Sequence, residues 1–150
     1  MVLVDTSVWI DHLRRRSDRL AALLEEGLAA CHPFVVGELA CGHLARREEL
    51  LALLQRLPTL EPVSQDEALR LVEAHQLAGT GLGWIDVHLL ASARVSGARL
   101  WTADGALKRA AATLQIASHN HSRVSSAMSA ASAAGKSSRR SSSREAHRIG

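Results

Sequence analysis

Val2-Leu3-Val4-Asp5-Thr6-Ser7-Val8-Trp9-Ile10 is the stretch that decides the fold. Three apolar residues, two of them β-branched, read as a short buried strand, Val2–Val4. Asp5 ends it. Thr6 or Ser7 can then cap a short helix that runs through Leu13, because a hydroxyl accepts a hydrogen bond from an orphan N–H of the first turn. The opening lacks a basic segment followed by a long apolar run, so it reads as structure and not as a secretory leader, which points to the cytoplasm.

Working outward, the pattern of strand then helix repeats. Ser17 starts a helix with Leu20, Leu23 and Leu24 on one face and Gly27 as its stop. Residues 28–31 make a short strand, Pro33 punctuates, and residues 35–44 and 46–57 make two helices, the second with Leu50, Leu53, Leu54 and Leu57 at helical spacing. Pro58 and Pro62 bracket a short extended piece. Ser64-Gln65-Asp66-Glu67 is a capping box that begins a helix through Leu77. Gly79-Thr80-Gly81-Leu82-Gly83 is a loop. A helix from Trp84 or Ile85 to Val95 is stopped by Gly97. Residues 98–102 form a strand, Gly105–Thr113 a helix, and residues 114–117 a last edge strand. This order predicts an α/β fold with a small parallel sheet covered by helices on both faces.

The composition fits a single globular domain followed by a tail. The chain has 150 residues, 47 % hydrophobic and 22 % charged, and no apolar stretch approaches the length that spans a bilayer. Aromatic residues make up only 3 %, so Leu, Val, Ile and Ala must build the core. Residues 118–150 hold six Arg and Lys against Glu145, a charge of +5; the whole chain is +3, which leaves −2 on residues 1–117. The segment 118–150 is rich in Ser, Ala and Arg and reads as a disordered basic tail, either an incidental extension or a contact for nucleic-acid phosphate. Cys31 and Cys41 lack zinc-site spacing and read as free, buried thiols.

Four acids stand where α/β proteins place their active sites. Asp5 follows the first strand, Glu38 lies near the start of a helix, Asp86 is in the first turn of another, and Asp104 follows the Leu100-Trp101-Thr102 strand. In a parallel sheet the strand C-termini and helix N-termini share one edge, so these carboxylates can converge. Taken singly, Asp5 and Asp104 could be helix caps, Asp86 a partner of the helix dipole and Glu38 a solvated residue. Taken together, they would repel one another unless a cation neutralised them. Carboxylate oxygens suit Mg²⁺ or Mn²⁺, and such an ion supports direct hydrolysis of a phosphodiester by water.

Val2-Leu3-Val4-Asp5-Thr6-Ser7-Val8-Trp9-Ile10, Gly37-Glu38-Leu39, Gly83-Trp84-Ile85-Asp86 and Trp101-Thr102-Ala103-Asp104 resemble, in order and spacing, the motifs of PIN-domain proteins, specifically the VapC-type toxins. The resemblance covers about residues 1–117. It implies a PIN-like three-layer α/β/α sandwich and a Mg²⁺- or Mn²⁺-dependent endoribonuclease acting as the toxin of a toxin–antitoxin pair. Asp5, Glu38, Asp86 and Asp104 carry over as the acidic metal site, and Thr6 as the hydroxyl beside it. The resemblance further implies a homodimer, an RNA substrate for which transfer RNA is a common choice in the family, and a cognate VapB-type antitoxin that completes a hetero-oligomer and often lends an arginine to the acids. His88, at a position that is usually apolar, and the Ser/Arg tail depart from the pattern. Two other readings stay open: a PIN-like nuclease on structured DNA, and a non-catalytic protein whose acidic cleft receives a partner's arginine.

The remaining candidates have ordinary readings. His12, His43 and His88 read as surface or packing residues. Trp9 and Trp84 read as core or dimer contacts, with base stacking as the functional alternative. Arg14-Arg15-Arg16 and Arg46-Arg47 read as a solvated face or as contacts to an RNA backbone.

Overall fold

In the computed structural model, which describes residues 1–119, the opening strand is the centre of the sheet. Strand β1 (Val2–Val4) is flanked in parallel by β2 (Ala29–Ala30) and β3 (Arg99–Trp101), in the order β2-β1-β3. Single parallel bridges, Cys31 to Thr59 and Leu100 to Ala117, extend it by one short segment at each edge. The expected edge strand at 114–117 is thus a bridge closed by Ser118 N–H donating to Leu100 O (2.9 Å). The sheet is the middle layer of a three-layer α/β/α sandwich. Met1–Ser118 form one compact unit. The tail expected at 118–150 lies outside the described residues beyond His119.

Seven helices surround the strands among the described residues: α1 (Thr6–Arg14), α2 (Asp18–Glu25), α3 (Pro33–Cys41), α4 (Arg47–Arg56), α5 (Gln65–Ala74), α6 (Trp84–Ser96) and α7 (Gly105–Thr113). Their ends follow local chemistry. The Ser17 and Ser64 hydroxyls accept from Leu20 N–H and Glu67 N–H, each at 3.2 Å. Helices α2 and α6 stop where Gly27 and Gly97 adopt left-handed conformations, each with φ of 68°. After Gly97, Ala98 N–H returns to Ala93 O at 2.9 Å and satisfies a carbonyl that the helix leaves open.

Several boundaries differ from the sequence expectation. Helix α3 begins at Pro33 and not at Val35, because proline's fixed φ and missing N–H suit the first helical position. Glu38 therefore lies in the second turn. Helix α5 ends at Ala74, three residues before the expected Leu77. The cap of α1 is Asp5 by position, and neither Thr6 nor Ser7 fills that role. Cys31 is buried as expected, but Cys41, in the last turn of α3, is exposed; both are free thiols.

The core is aliphatic. Leu3, Val4, Leu20, Leu89, Leu90, Leu100 and Leu107 are fully sequestered together with Trp9. Burial of these side chains fixes the strand faces and drives the layers together. Trp9 is thus a core residue, whereas Trp84 is 43 % exposed. No helix among the described residues is long and apolar enough to cross a membrane.

Candidate active site

The parallel register builds the site. Val4 lies opposite Trp101, so Asp5 and Thr102 are the next residues along two adjacent strands. The Thr102 hydroxyl donates to Asp5 Oδ2 at 2.7 Å, and the Ser7 hydroxyl, two residues on, donates to the same oxygen at 2.8 Å. Backbone N–H groups hold both hydroxyls in turn: Ala103 N–H donates to Ser7 Oγ and Asp104 N–H to Thr102 Oγ1, each at 3.0 Å. Asp5 is only 6 % exposed, and these donors offset the desolvation of its charge.

The other acids are placed by helix starts. Asp104 caps α7, its Oδ2 accepting from Leu107 N–H at 2.9 Å. Asp86, in the first turn of α6, accepts from Gly83 N–H at 2.9 Å, again through Oδ2. Glu38 projects from the second turn of α3. The four form one electrostatic group. Partial burial pushes Glu38 above its ordinary value, with the Asp5 and Asp86 charges adding to the rise. Partial burial likewise raises Asp86, and Asp5 and Asp104 act in the same direction against the Gly83 N–H. A like charge within reach raises a carboxyl, so Glu38 and Asp86 both lie near enough to feel Asp5.

Hydroxyls other than that of Thr6 hold Asp5. Thr6 stands beside Glu38 and works against its rise, but its Oγ1 is buried and makes no hydrogen bond within bonding distance. The groups that grip Asp5 are Ser7 and Thr102. Their signal was present in the sequence as a hydroxyl two residues after one acid and another two residues before the next. Only the register between β1 and β3 shows that both reach the same oxygen.

As the side chains stand, no three Asp, Glu, His or Cys groups among the described residues are gathered closely enough to hold one metal ion. Each carboxylate of the three aspartates is turned toward a protein donor. The donor set is nevertheless one of hard oxygens, and the orphaned Thr6 hydroxyl lacks a partner that a cation or its water could provide. A cation is also close by. A Cβ on Gly105, beside Asp104, would stand 3.3 Å from Arg109 Nη1, so that guanidinium folds back over the start of α7.

Behind the acids, His32 ties two acid-bearing helices together. Its Nδ1 accepts from Phe34 N–H at 3.0 Å and caps α3, while Nε2 lies 3.1 Å from Ser92 Oγ on α6. Ser92 donates its own hydrogen to Glu61 O at 2.9 Å, so it must accept from His32 Nε2–H. Both ring nitrogens are therefore committed to the neutral form. Burial, reinforced by nearby His88, pushes the His32 pKa down to about 4. His88 itself is buried and packs edge-to-face with Phe34 and Trp84, at ring separations of 5.0 and 4.7 Å. It is a packing residue, as expected, but its Nδ1 has no hydrogen-bond partner. A cavity of about 460 Å³ lies elsewhere, against α5 and α6, with Val63, Leu71 and Ala91 in its lining. It includes none of the four acids, and its mainly apolar wall suits packing better than phosphate chemistry.

Comparison with known proteins agrees with this architecture. The PIN domain family model matches residues 2–113. Ribonuclease VapC32 of Mycobacterium tuberculosis, strains H37Rv and CDC 1551, is 51 % identical over 118 residues, covering 78 % of this chain and 95 % of the relative. Among solved structures, PAE2754 from Pyrobaculum aerophilum matches with a TM-score of 0.53 at 20 % identity, over 72 % of this chain and 82 % of its own. The sarcin–ricin loop cleaving toxin VapC20 of M. tuberculosis matches with a TM-score of 0.52 at 18 % identity, over 73 % and 95 % of the two chains. These two structures share the fold, and the close relative shares the sequence across nearly its whole length: the chain belongs to the PIN domain family and, within it, to the VapC-type ribonucleases.

Proposed function

We propose that this protein is an endoribonuclease that hydrolyses RNA phosphodiesters and acts as the toxin of a type II toxin–antitoxin pair. The observation that carries the reading is the placement of four acids at the C-terminal edge of the sheet: Asp5 ends β1 beside Thr102, Asp104 follows β3, and Glu38 and Asp86 stand on helices near enough to feel the Asp5 charge. A structural cap has no need of three further acids. The 51 % identity to a ribonuclease, over 95 % of that relative's length, supports the substrate class.

In this reading Asp5, Glu38, Asp86 and Asp104 hold Mg²⁺ or Mn²⁺. When bound, the ion supplies an acidified water and offsets the charge that develops on the phosphate. The protein's own part is to hold the carboxylates in place. Ser7 and Thr102 fix Asp5 through one oxygen, and the helix starts fix Asp86 and Asp104 through one oxygen each. Thr6 orients Glu38 or a water beside it. The chain works in the cytoplasm as a homodimer, silenced by a VapB-type antitoxin that offers a basic side chain to the acids.

Cleavage of total bacterial RNA by the purified protein tests this, with Mn²⁺, with EDTA and with Asp5→Asn alongside. Discrete products that require both Mn²⁺ and Asp5 are expected. Full activity of folded Asp5→Asn would remove the site assignment, and cleavage of matched DNA but not RNA would change the substrate.

A further inference from the structure

We infer that the indole of Trp84 is a stacking shelf for an unpaired base of the RNA next to the cleaved phosphate, an inference that rests on the ribonuclease reading. The chain has only three Trp and one Phe. Trp9 is in the core and Trp84 is 43 % exposed, although exposing an indole forfeits one of the larger burial gains open to any side chain.

The location is specific. Trp84 is the first residue of α6, two before Asp86. Phe34 of α3 packs on His88 of α6. Glu38, one turn further along α3, is coupled to Asp86 in the first turn of α6. The two helices therefore bring Glu38 toward the end of α6 that carries Trp84; the indole lies on the His88 side of that helix start, two residues from Asp86 in the chain, within one nucleotide's reach of the acids.

The ring is also held in a way that leaves it usable. His88 meets Trp84 at 88° between ring planes, and a perpendicular contact covers one indole face at most. His88 is in turn backed by Phe34, so the shelf has a fixed, buried support. Arg109, folded over Gly105 at the start of α7, stands beside Asp104, where a phosphate of the same strand would meet a cation. A flat apolar face and a cation beside a carboxylate group match the chemistry of a single-stranded nucleotide, which stacks its base and pairs its phosphate.

The test uses the full chain. Binding of a 12-nucleotide single-stranded oligoribonucleotide is measured in Mg²⁺ on an Asp5→Asn background, by affinity and by quenching of indole fluorescence. The same strand built from abasic ribose units serves as control. Trp84→Ala is expected to weaken binding of the base-bearing strand about tenfold and to remove most of the quenching. Trp84→Phe is expected to keep most of the affinity, and the abasic strand to bind both forms alike. With native Asp5 and Mn²⁺, Trp84→Ala is expected to raise KM more than it lowers kcat. Unchanged affinity and KM in Trp84→Ala, from a wild-type protein that does cleave RNA, would overturn the shelf alone. Equal losses on the abasic strand would assign Trp84 a structural role and also overturn it. A wild-type protein that neither binds nor cleaves RNA would overturn the ribonuclease reading and the shelf with it.

Discussion

Acidification should loosen the fold through His32, and the effect can be worked out from its two hydrogen bonds. The ring is neutral in the folded protein because Nδ1 accepts from Phe34 N–H and Nε2–H donates to Ser92. Its folded pKa of about 4 lies below the ordinary 6.5 of an accessible imidazole. Between these values the unfolded chain takes up the proton and the folded chain does not, so stability must fall as pH falls. The contribution is fully present above pH 6.5. Linkage gives a loss of about 2 kcal/mol by pH 5 and about 3 kcal/mol by pH 4. Urea unfolding in steps from pH 8 to pH 4.5 measures it, with His32→Asn as the reference. Asparagine is a good N-cap and can accept from Phe34 N–H, but it does not titrate. It forfeits the Ser92 bond, so the variant starts less stable at pH 8, and the gap should close as wild type loses its margin. The neighbouring acids titrate in both proteins and cancel in the difference. Parallel stability curves from pH 8 to pH 4.5 would refute the buried neutral imidazole. The consequence reaches the site, since His32 begins the helix that carries Glu38 and grips the one that carries Asp86.

Two further predictions concern charge and packing. Mn²⁺ should raise the melting temperature by binding only the folded acid group, with a gain of about 3 kcal/mol at a hundredfold excess over Kd. Asp5→Asn and Glu38→Gln should reduce that gain, and an equal shift in wild type and both variants would place the ion elsewhere. His88→Leu should stabilise the protein by about 1 kcal/mol in denaturant unfolding, because it removes a buried Nδ1 that has no partner. A loss of stability would mean that the edge contacts of the ring with Phe34 and Trp84 outweigh the orphaned nitrogen.

The fold was legible wherever the signal is local. The apolar run Val2–Val4, the serine caps at 17 and 64 and the glycine stops at 27 and 97 are each contained within a few residues. Pro33 was legible but ambiguous, since proline both interrupts helices and begins them. His32 as the cap of α3 left little trace, because histidine is outside the usual capping set and its ring acts here only through burial against Ser92. The expectation of a buried Cys41 rests on the average burial of its residue type, but its place in the last turn of α3 turns it to solvent. The grip on Asp5 was beyond local reading. Thr102 is 97 residues away, and only the pairing of β1 with β3 brings it alongside.

The acids themselves show why capping and chemistry are poor alternatives for these residues. Asp104 caps its helix, as its local reading suggests, and Asp86, read locally as a partner of the helix dipole, closes a capping box on Gly83 N–H; both use Oδ2 to do so. Asp5 likewise spends Oδ2 on two hydroxyls. In all three, the hydrogen bonds fall on a single oxygen of the pair, so the carboxylate is fixed in place while its Oδ1 takes no part in those bonds. A side chain held by one oxygen loses little entropy when the other meets a ligand. The caps are then the means by which three flexible carboxylates become a preorganised acidic group. An Asp→Asn change separates the two roles, since the amide oxygen can still accept the structural hydrogen bond while the charge is gone. The raised Glu38 and Asp86 are the cost of that preorganisation: burial raises both, and the charges of neighbouring acids add repulsion that a cation can relieve.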